Sequence, residues 1–134
     1  MDTDDLLAAA RDATAAAHVP YSEYKVGAAL DTASGAVYTG CNIENANYSN
    51  SLHAEEVAVG KAVSAGDTDF QRLAVTSSQR DAVTPCGMCR QTLAEFAADD
   101  LTILCDSGDD TAGVVTYTLG ELLPDTITAS NLDA

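Results

Sequence analysis

Residues 73–105 read LAVTSSQRDAVTPCGMCRQTLAEFAADDLTILC. Residues 73–77 and 101–105 are short apolar runs typical of buried strands, and residues 87–98 carry apolar side chains at helical spacing. A strand, a helix and a strand in succession predict two parallel strands joined by a right-handed crossover. This stretch therefore predicts an α/β fold.

The surrounding sequence extends the same pattern in both directions. Residues 26–30 and 36–42 flank a turn at residues 31–35 and predict a hairpin. The remaining predicted elements are helices at residues 5–18 and 53–65, a strand at residues 114–117, and a short helix at residues 118–123 with Thr118 as its N-cap. We therefore expect a single domain over residues 1–134, built on a mixed sheet with helices on both faces.

The charge of the chain is strongly negative, with 21 acidic residues, 6 basic residues and a formal net charge of -15. At about 1 M salt the Debye length is only ~3 Å, so the self-repulsion of such a surface largely vanishes. We therefore expect a halophilic protein that stays hydrated in concentrated salt. An acidic surface for a cationic partner is the other interpretation.

The same charge argues against nucleic acid as a partner, because phosphate binding needs clustered Lys and Arg and weakens as salt rises. We expect no membrane segment, since no apolar run approaches the ~20 residues of a spanning helix. The first residues are acidic, unlike a secretory signal, so a cytoplasmic location is expected. In that reducing compartment the four cysteines are expected to be metal ligands or buried thiols.

Two short motifs carry the candidate chemistry: residues 53–55 (His-Ala-Glu) and residues 85–89 (Pro-Cys-Gly-Met-Cys), each at the start of a predicted helix. Cys86 and Cys89 are three residues apart and share a helix face, so both can reach one ion. His53 supplies a third ligand from the other helix. One nitrogen and two sulfur ligands suit Zn²⁺ and leave a fourth position for water.

Glu55 is predicted to be the proton shuttle of this site. It lies two residues after His53, so the two side chains face different ways and Glu55 is not expected to be a fourth ligand. It can take a proton from a zinc-activated water and pass it to a ring nitrogen and then to a leaving amine. The two motifs together resemble the pattern of zinc-dependent deaminases. A closed structural zinc site is the alternative interpretation.

The flanking residues resemble the short cytidine deaminases over nearly the whole chain. The matching stretches are residues 18–30 (HVPYSEYKVGAAL), 40–46 (GCNIENA), 61–67 (KAVSAGD) and 86–91 (CGMCRQ). The resemblance implies a three-layer α/β/α domain around a mixed five-stranded sheet. It also implies a homotetramer whose active sites borrow residues from neighbouring subunits.

The resemblance implies roles for four further residues. Asn42 and Glu44 are similar to the pair that holds the ribose hydroxyls, and an amide and a carboxylate can satisfy a diol. Tyr24 stands where the family usually has a Phe near the base, and the N–H of Ala54 would meet the base carbonyl. On the residues alone, Asn42 equally fits a turn cap, Glu44 a solvated acid, and Tyr24 ordinary core packing.

Three positions depart from the pattern of the short family. His53 and Glu56 stand where short members usually have Cys and Arg. Zinc with three thiolates carries a net charge of −1, which a nearby Arg offsets, whereas zinc with one neutral His and two thiolates is already neutral. We therefore hypothesise that His53 and Glu56 are a coupled exchange. Ile127 is the nearest apolar candidate for a C-terminal Phe that reaches a neighbour's active site in the family.

These features predict zinc-dependent hydrolytic deamination of cytidine and deoxycytidine to uridine and deoxyuridine in pyrimidine salvage, with a small nucleoside as the substrate. One alternative is a deaminase of a modified aminonucleoside, because Tyr24 and Ile127 would alter the surroundings of the base. The other is a zinc-stabilised binding protein without turnover. Editing of polynucleotides is disfavoured by the acidic charge.

Overall fold

The computed structural model describes residues 1–77, 79, 82–106 and 113–132. Its helices are α1 (Thr3–Ala13), α2 (Ala54–Ser64), α3 (Gly87–Phe96), α4 (Leu119–Leu122) and α5 (Ala129–Leu132). Its strands are β1 (Val26–Thr32), β2 (Val37–Cys41), β3 (Phe70–Ser77), β4 (Thr102–Asp106) and β5 (Val114–Thr118). Among these residues, no helix combines the length and the apolar character that crossing a bilayer requires.

The five strands form one mixed sheet in the order β2-β1-β3-β4-β5. β1 pairs antiparallel with both β2 and β3, β3 pairs parallel with β4, and β5 pairs antiparallel with β4. The predicted hairpin and the predicted parallel pair around α3 are therefore confirmed. Because β2 and β3 both run antiparallel to β1, their carboxyl ends lie at the same edge of the sheet. α2 follows β2 and α3 follows β3, so both helices begin near that edge.

Helices cover both faces of the sheet. On one face α1 packs its apolar side chains against alternate residues of the three central strands, in a cluster of Leu6, Leu7, Ala10, Ala29, Ala74 and Leu104. On the other face α2, α3 and α4 share a larger cluster that includes Ala58, Leu73, Leu93, Ile103 and Leu119. The alternation follows from strand geometry, in which successive side chains point to opposite faces. The predicted three-layer α/β/α architecture is confirmed.

Two glycines allow the helices to approach the sheet closely. A Cβ atom at Gly27 in β1 would lie 2.1 Å from the carbonyl oxygen of Ala10 in α1. A Cβ atom at Gly40 in β2 would lie 2.2 Å from the carbonyl oxygen of Ala54 in α2. Any larger residue at Gly40 would therefore push the first turn of α2 away from the sheet, and with it residues 53–55.

An ion pair between a partly exposed arginine and a buried aspartate fastens α1 to β4. Arg11 donates from Nε to Asp106 Oδ2 at 2.6 Å and from Nη2 to Asp106 Oδ1 at 2.7 Å. Thr76 Oγ1 in β3 donates to Asp106 Oδ2 at 2.9 Å. Asp106 is fully buried, and its two carboxylate oxygens accept all three of these hydrogen bonds. A buried charge is tolerated when its partners satisfy it in this way.

The first helix differs from its predicted range of residues 5–18 at both ends. α1 begins at Thr3 because Asp2 is its N-cap, whose side chain accepts the N–H of Asp5 at 2.8 Å. After Ala13 the chain makes a single 3₁₀ turn at Thr14–Ala16. His18 is not helical and forms a parallel bridge with Ile43. This bridge joins the segment before β1 to the segment after β2, beside the candidate site.

Candidate metal centre and active site

The starts of α2 and α3 bring three candidate ligands together. His53 is the N-cap of α2, Cys86 is the N-cap of α3, and Cys89 lies in the first turn of α3. His53 Nδ1 lies 3.2 Å from Cys86 Sγ and 3.3 Å from Cys89 Sγ. All three ligand atoms lie within 4.8 Å of one another, which is close enough to share one ion. Within the described ranges, no other group of three His, Cys, Asp or Glu residues meets this test.

The donor set of this cluster fits zinc. One imidazole nitrogen and two thiolate sulfurs are ligands that Zn²⁺ prefers, and three protein ligands leave a position for water. Burial raises the pKa of the Cys89 thiol, and the neighbouring Glu55 carboxylate raises it further. A cation among these groups would offset both effects, so formation of the Cys89 thiolate is coupled to metal binding.

Arg90 holds the loop that delivers Cys86. Its Nε donates to the carbonyl oxygen of Pro85 at 2.7 Å, and its Nη2 donates to Thr84 Oγ1 at 3.2 Å. Its Nη1 donates to the carbonyl oxygen of Leu122 at the end of α4, at 2.7 Å. The sequence interpretation did not single out Arg90, although its place directly after Cys89 was a usable signal.

Glu56 holds the start of α2. Its Oε1 accepts the backbone N–H of His53 at 2.6 Å, which is the carboxylate half of a capping box. The acidic residue at this position thus contacts the main chain of a metal-ligand candidate. The sequence suggested only a charge relationship between Glu56 and His53, and it did not predict this contact.

Glu55 lies in the first turn of α2 and is only 5% exposed. Burial raises the pKa of its carboxyl above the ordinary value. It lines a cavity of about 220 Å³ together with His53, Ala54 and Cys86. A raised pKa in a cleft beside metal-ligand candidates is typical of a general acid and base.

A second cavity, of about 520 Å³, adjoins the first, because Asn42 and His53 line both. We call the first the deep cavity and the second the outer cavity. Tyr24, Asn42 and Glu44 line the outer cavity, and Ala54 lines the deep one. Within the described part of the chain, Ile127 lines neither, and its side chain is exposed.

Asn42 and Glu44 both bind the segment that precedes β1. Asn42 Oδ1 accepts the N–H of Val26 at 2.9 Å, and its Nδ2 donates to the carbonyl oxygen of Tyr24 at 2.7 Å. Glu44 Oε1 accepts the N–H of Tyr21 at 2.9 Å, and Glu44 Oε2 accepts the hydroxyl of Ser22. Asn42 therefore holds the chain at the start of β1 and also lines both cavities.

Comparison with known proteins shows to which family this chain is similar. The model of the cytidine and deoxycytidylate deaminase zinc-binding region matches residues 1–105. A cytidine deaminase from Sporosarcina psychrophila is 40% identical over 134 residues, covering 98% of this chain and 96% of the relative. The crystal structure of cytidine deaminase from Burkholderia pseudomallei superposes with a TM-score of 0.88 at 37% identity, covering 95% of this chain and 100% of that one.

A more distant relative has a different printed activity. A blasticidin-S deaminase from Bacillus cereus is 32% identical over 111 residues, covering 77% of this chain and 76% of the relative. The matches span the convergent ligands, the buried carboxylate and the sheet that supports them, so the protein is a member of the cytidine and deoxycytidylate deaminase family.

Proposed function

We propose that this protein catalyses the zinc-dependent hydrolytic deamination of cytidine and deoxycytidine to uridine and deoxyuridine, as a step of pyrimidine salvage. One observation carries the proposal: the ligand atoms of His53, Cys86 and Cys89 lie within 4.8 Å of one another, and two of these residues, His53 and Cys86, line a cavity together with the buried carboxylate of Glu55. The reaction needs a nucleophilic water and a group that moves its proton. The metal-ligand candidates can supply the first and the Glu55 carboxylate the second.

His53, Cys86 and Cys89 hold the zinc ion in this proposal. Bound zinc supplies Lewis-acid chemistry, which makes a water molecule a strong nucleophile near neutral pH. The first turns of α2 and α3 both point their N–H groups toward the site, and this positive end of each helix favours the two thiolates.

Glu55 moves protons between the water and the substrate. Its raised pKa means that the carboxyl holds a proton more firmly than an exposed Glu, so it can both accept and deliver one. It accepts the proton released by the attacking water and gives it to the ring nitrogen beside the amine-bearing carbon. The second water proton then goes to the amine, which leaves as ammonia.

The two adjoining cavities suit the two halves of a nucleoside. The base would lie in the deep cavity, where the N–H of Ala54 can meet the carbonyl oxygen of the base. The sugar would lie in the outer cavity, where Asn42 and Glu44 meet the ribose hydroxyls. Tyr24 lines the outer cavity, where its ring can flank the substrate.

We also propose that the protein is a halophilic, cytoplasmic, single-domain subunit of a homotetramer. Exposed apolar side chains border the outer cavity and the surface next to it: Tyr48 is 75% exposed, Met88 51% and Leu52 45%. Large apolar side chains grouped around a site are typical of a surface that another subunit covers. Light scattering on the protein in concentrated salt would measure the assembly, and a monomer would contradict this part.

The test of the enzymatic proposal is a cytidine assay in concentrated salt, with zinc quantified on the same sample. We expect loss of the cytidine absorbance band, release of ammonia and about one zinc per chain. Glu55→Gln should keep the zinc and lose roughly 10²- to 10⁴-fold in kcat, because the proton shuttle is gone. If the protein is instead a zinc-stabilised binding protein without turnover, Glu55→Gln should change no measurable property.

A modified aminonucleoside is the second candidate substrate. It is favoured by the blasticidin-S deaminase relative and by Tyr24, a phenol in the outer cavity. A panel of cytidine, deoxycytidine and blasticidin S, compared by kcat/KM, separates the two. We expect kcat/KM for cytidine to exceed that for blasticidin S, and the reverse order would contradict the leading proposal.

A further inference from the structure

The carboxylate of Glu44 is held by donors from one short segment. Its Oε1 accepts the backbone N–H of Tyr21 at 2.9 Å and of Ser22 at 3.1 Å. Its Oε2 accepts the hydroxyl of Ser22. The main chain of Glu44 is bound to the same region, because its N–H donates to the carbonyl oxygen of His18 at 2.7 Å. Both ends of the Glu44 residue are therefore fixed by residues 18–22.

The direction of the Ser22 hydroxyl bond is determined by its neighbours. The N–H of Tyr24 donates to Ser22 Oγ at 3.0 Å, so the oxygen already accepts one hydrogen bond. A serine hydroxyl has a single proton, and a carboxylate can only accept. The Ser22 proton must therefore point at Glu44 Oε2. This places Ser22 between the main chain of Tyr24 and the side chain of Glu44.

A tight turn holds Ser22 in this place. The N–H of Glu23 donates to the carbonyl oxygen of Val19 at 3.0 Å. Glu23 adopts a φ of 59°, in the left-handed region that non-glycine residues rarely occupy. Such a backbone persists only where the surrounding structure over-determines it, and it is more frequent at functional sites than elsewhere.

The bound carboxylate keeps room for a ligand. A carboxylate offers about four acceptor positions, and Tyr21 and Ser22 occupy three of them in the structure. The remaining position is on Oε2, the oxygen that Ser22 holds. Glu44 lines the outer cavity, so we expect that position to accept from a hydroxyl group bound there.

We propose that Ser22 is a positioning residue for substrate binding: its hydroxyl orients the Glu44 carboxylate to accept a hydrogen bond from a sugar hydroxyl. This inference rests on the proposed function, since it requires a nucleoside in the outer cavity. Ser22 acts through Glu44 and takes no part in the proton transfers. Its loss should therefore weaken binding of the sugar and leave the chemical step unchanged.

Because the Glu44 carboxylate is titratable, the proposed role of Ser22 predicts a change in the pH dependence of kcat/KM. The hydrogen bond from Ser22 is the largest cause that holds the pKa of Glu44 below its ordinary value, and His18 also lowers it. The other titratable groups around the outer cavity are His53 and the phenols of Tyr21, Tyr24 and Tyr48. Among the described residues, the Ser22 hydroxyl bonds to the Glu44 carboxylate and to the backbone N–H of Tyr24, and to no side chain of these other groups. When this hydroxyl is removed, the pKa of Glu44 should rise, and the acid limb of kcat/KM should move to higher pH.

The experiment compares Ser22→Ala, Ser22→Thr and a matched control on two substrates. The control is Ser34→Ala, because Ser34 Oγ also donates to a carboxylate, Asp67 Oδ2, at 2.7 Å. Ser34 lies in the turn between β1 and β2, at the opposite end of β1 from the site. The substrates are cytidine and 2′,3′-dideoxycytidine, which lacks the hydroxyls that Glu44 would bind.

For Ser22→Ala we expect KM for cytidine to rise roughly five- to tenfold, with kcat within about twofold of the original protein. The acid limb of kcat/KM should shift to higher pH. Ser22→Thr should restore both the KM for cytidine and the position of the acid limb, because it keeps the hydroxyl. With 2′,3′-dideoxycytidine, Ser22→Ala and the original protein should have equal kcat/KM. Ser34→Ala should match the original protein on both substrates.

An equal loss on both substrates, a loss in kcat alone, or an unmoved acid limb would overturn the role of Ser22. So would a Ser22→Ala variant that retains its KM for cytidine. If the unaltered protein loaded with zinc fails to deaminate cytidine, the proposed function itself fails, and this inference fails with it. The two failures are distinguished by the unaltered protein alone, before any variant is compared.

Discussion

At the scale of single residues, burial of the Glu55 carboxyl lowers the stability of the folded protein near neutral pH. Burial raises its pKa above the ordinary value of 4.5, so the folded protein binds this proton more tightly than the unfolded chain does. The stabilisation that comes with the raised pKa is fully present below the unfolded pKa and is lost as pH rises through the folded pKa. Near pH 7, where the unfolded chain has an ionised Glu55, the buried carboxyl therefore lowers the stability of the metal-free protein.

This predicts that Glu55→Gln raises the melting temperature of the metal-free protein near pH 7, since the variant has no carboxyl whose ionisation is disfavoured by burial. The gain should shrink as pH falls toward about 4, where the original carboxyl is protonated in both states. Calorimetry in concentrated salt with a chelator measures it. Glu95→Gln removes the same charge from an exposed position of α3 and serves as the control. A lower melting temperature for Glu55→Gln near pH 7 would refute the argument.

The sequence identified the metal-ligand candidates because their spacing carries the information. Cys86 and Cys89 are one helical turn apart, and their motif is contiguous. Ser22 gave no such signal, and Arg90 gave only its place directly after Cys89, since each has a partner that is distant in the chain: Glu44 is 22 positions from Ser22, and Leu122 is 32 positions from Arg90. Contacts of this kind depend on the folded path of the chain, which one sequence does not reveal.

At the scale of elements, two helices begin with the same carboxylate contact. Glu56 accepts the N–H of His53 at 2.6 Å at the start of α2, and Glu121 accepts the N–H of Thr118 at 2.9 Å at the start of α4. Each contact satisfies one backbone donor at a helix start. They differ in what they support, because only the first is attached to a metal-ligand candidate.

We therefore expect Glu56→Ala and Glu121→Ala each to lower the free energy of unfolding by about 1 kcal/mol, as lost caps usually do. Only Glu56→Ala should also weaken zinc binding, by roughly 10- to 100-fold, because outer partners orient metal ligands. Competition with a chromophoric chelator measures the affinity.

Glu56→Gln is the conservative comparison, since its amide oxygen can accept the same N–H. Equal zinc affinities for Glu56→Ala and Glu121→Ala would show that the contact supports only the helix. If Glu56→Gln binds zinc as weakly as Glu56→Ala, the charge of Glu56 matters rather than its hydrogen bond.

The predicted strands were correct in number and order, but β3 begins earlier than predicted. It starts at Phe70 rather than residue 73, because Gln71 and Arg72 hid its first residues from an apolar pattern. Arg72 is stable there because it faces Asp31 across the β1–β3 pair and donates to its carboxylate from Nε at 2.9 Å. A polar residue satisfied by a neighbouring strand leaves no signal in local hydropathy.

At the scale of the whole molecule, the formal net charge is -15, and we expect the stability of the fold to depend on dissolved salt for this reason. Arg11 and Arg72 are two of only six basic residues, and both pair with buried acids, Asp106 and Asp31. Few basic side chains therefore remain to offset the acids on the surface. The hairpin and the parallel pair around α3 could be predicted from the sequence because each element has its own pattern, whereas the order of all five strands in the sheet depends on contacts that no local pattern reveals.

We expect the melting temperature to rise with added KCl, with most of the gain below about 1 M, where the Debye length falls from ~10 Å at 0.1 M to ~3 Å. Thermal scans at constant zinc measure this. Sucrose at matched osmolality is the control, because it does not screen charge. A melting temperature that is flat across the salt series, or an equal gain in sucrose, would contradict a charge-based dependence.

The close approach of α2 to β2 at Gly40 limits which parts of the site can change in evolution. The main chain of β2 contacts the main chain of α2 there, so the start of α2, which carries His53 and Glu55, cannot be moved by exchanging side chains at this contact. The rim that faces solvent is built from replaceable side chains on loops. Relatives that acquire new substrates would therefore change the side chains of the outer cavity and keep the contact between β2 and α2. The reaction would then stay the same while the range of substrates changes.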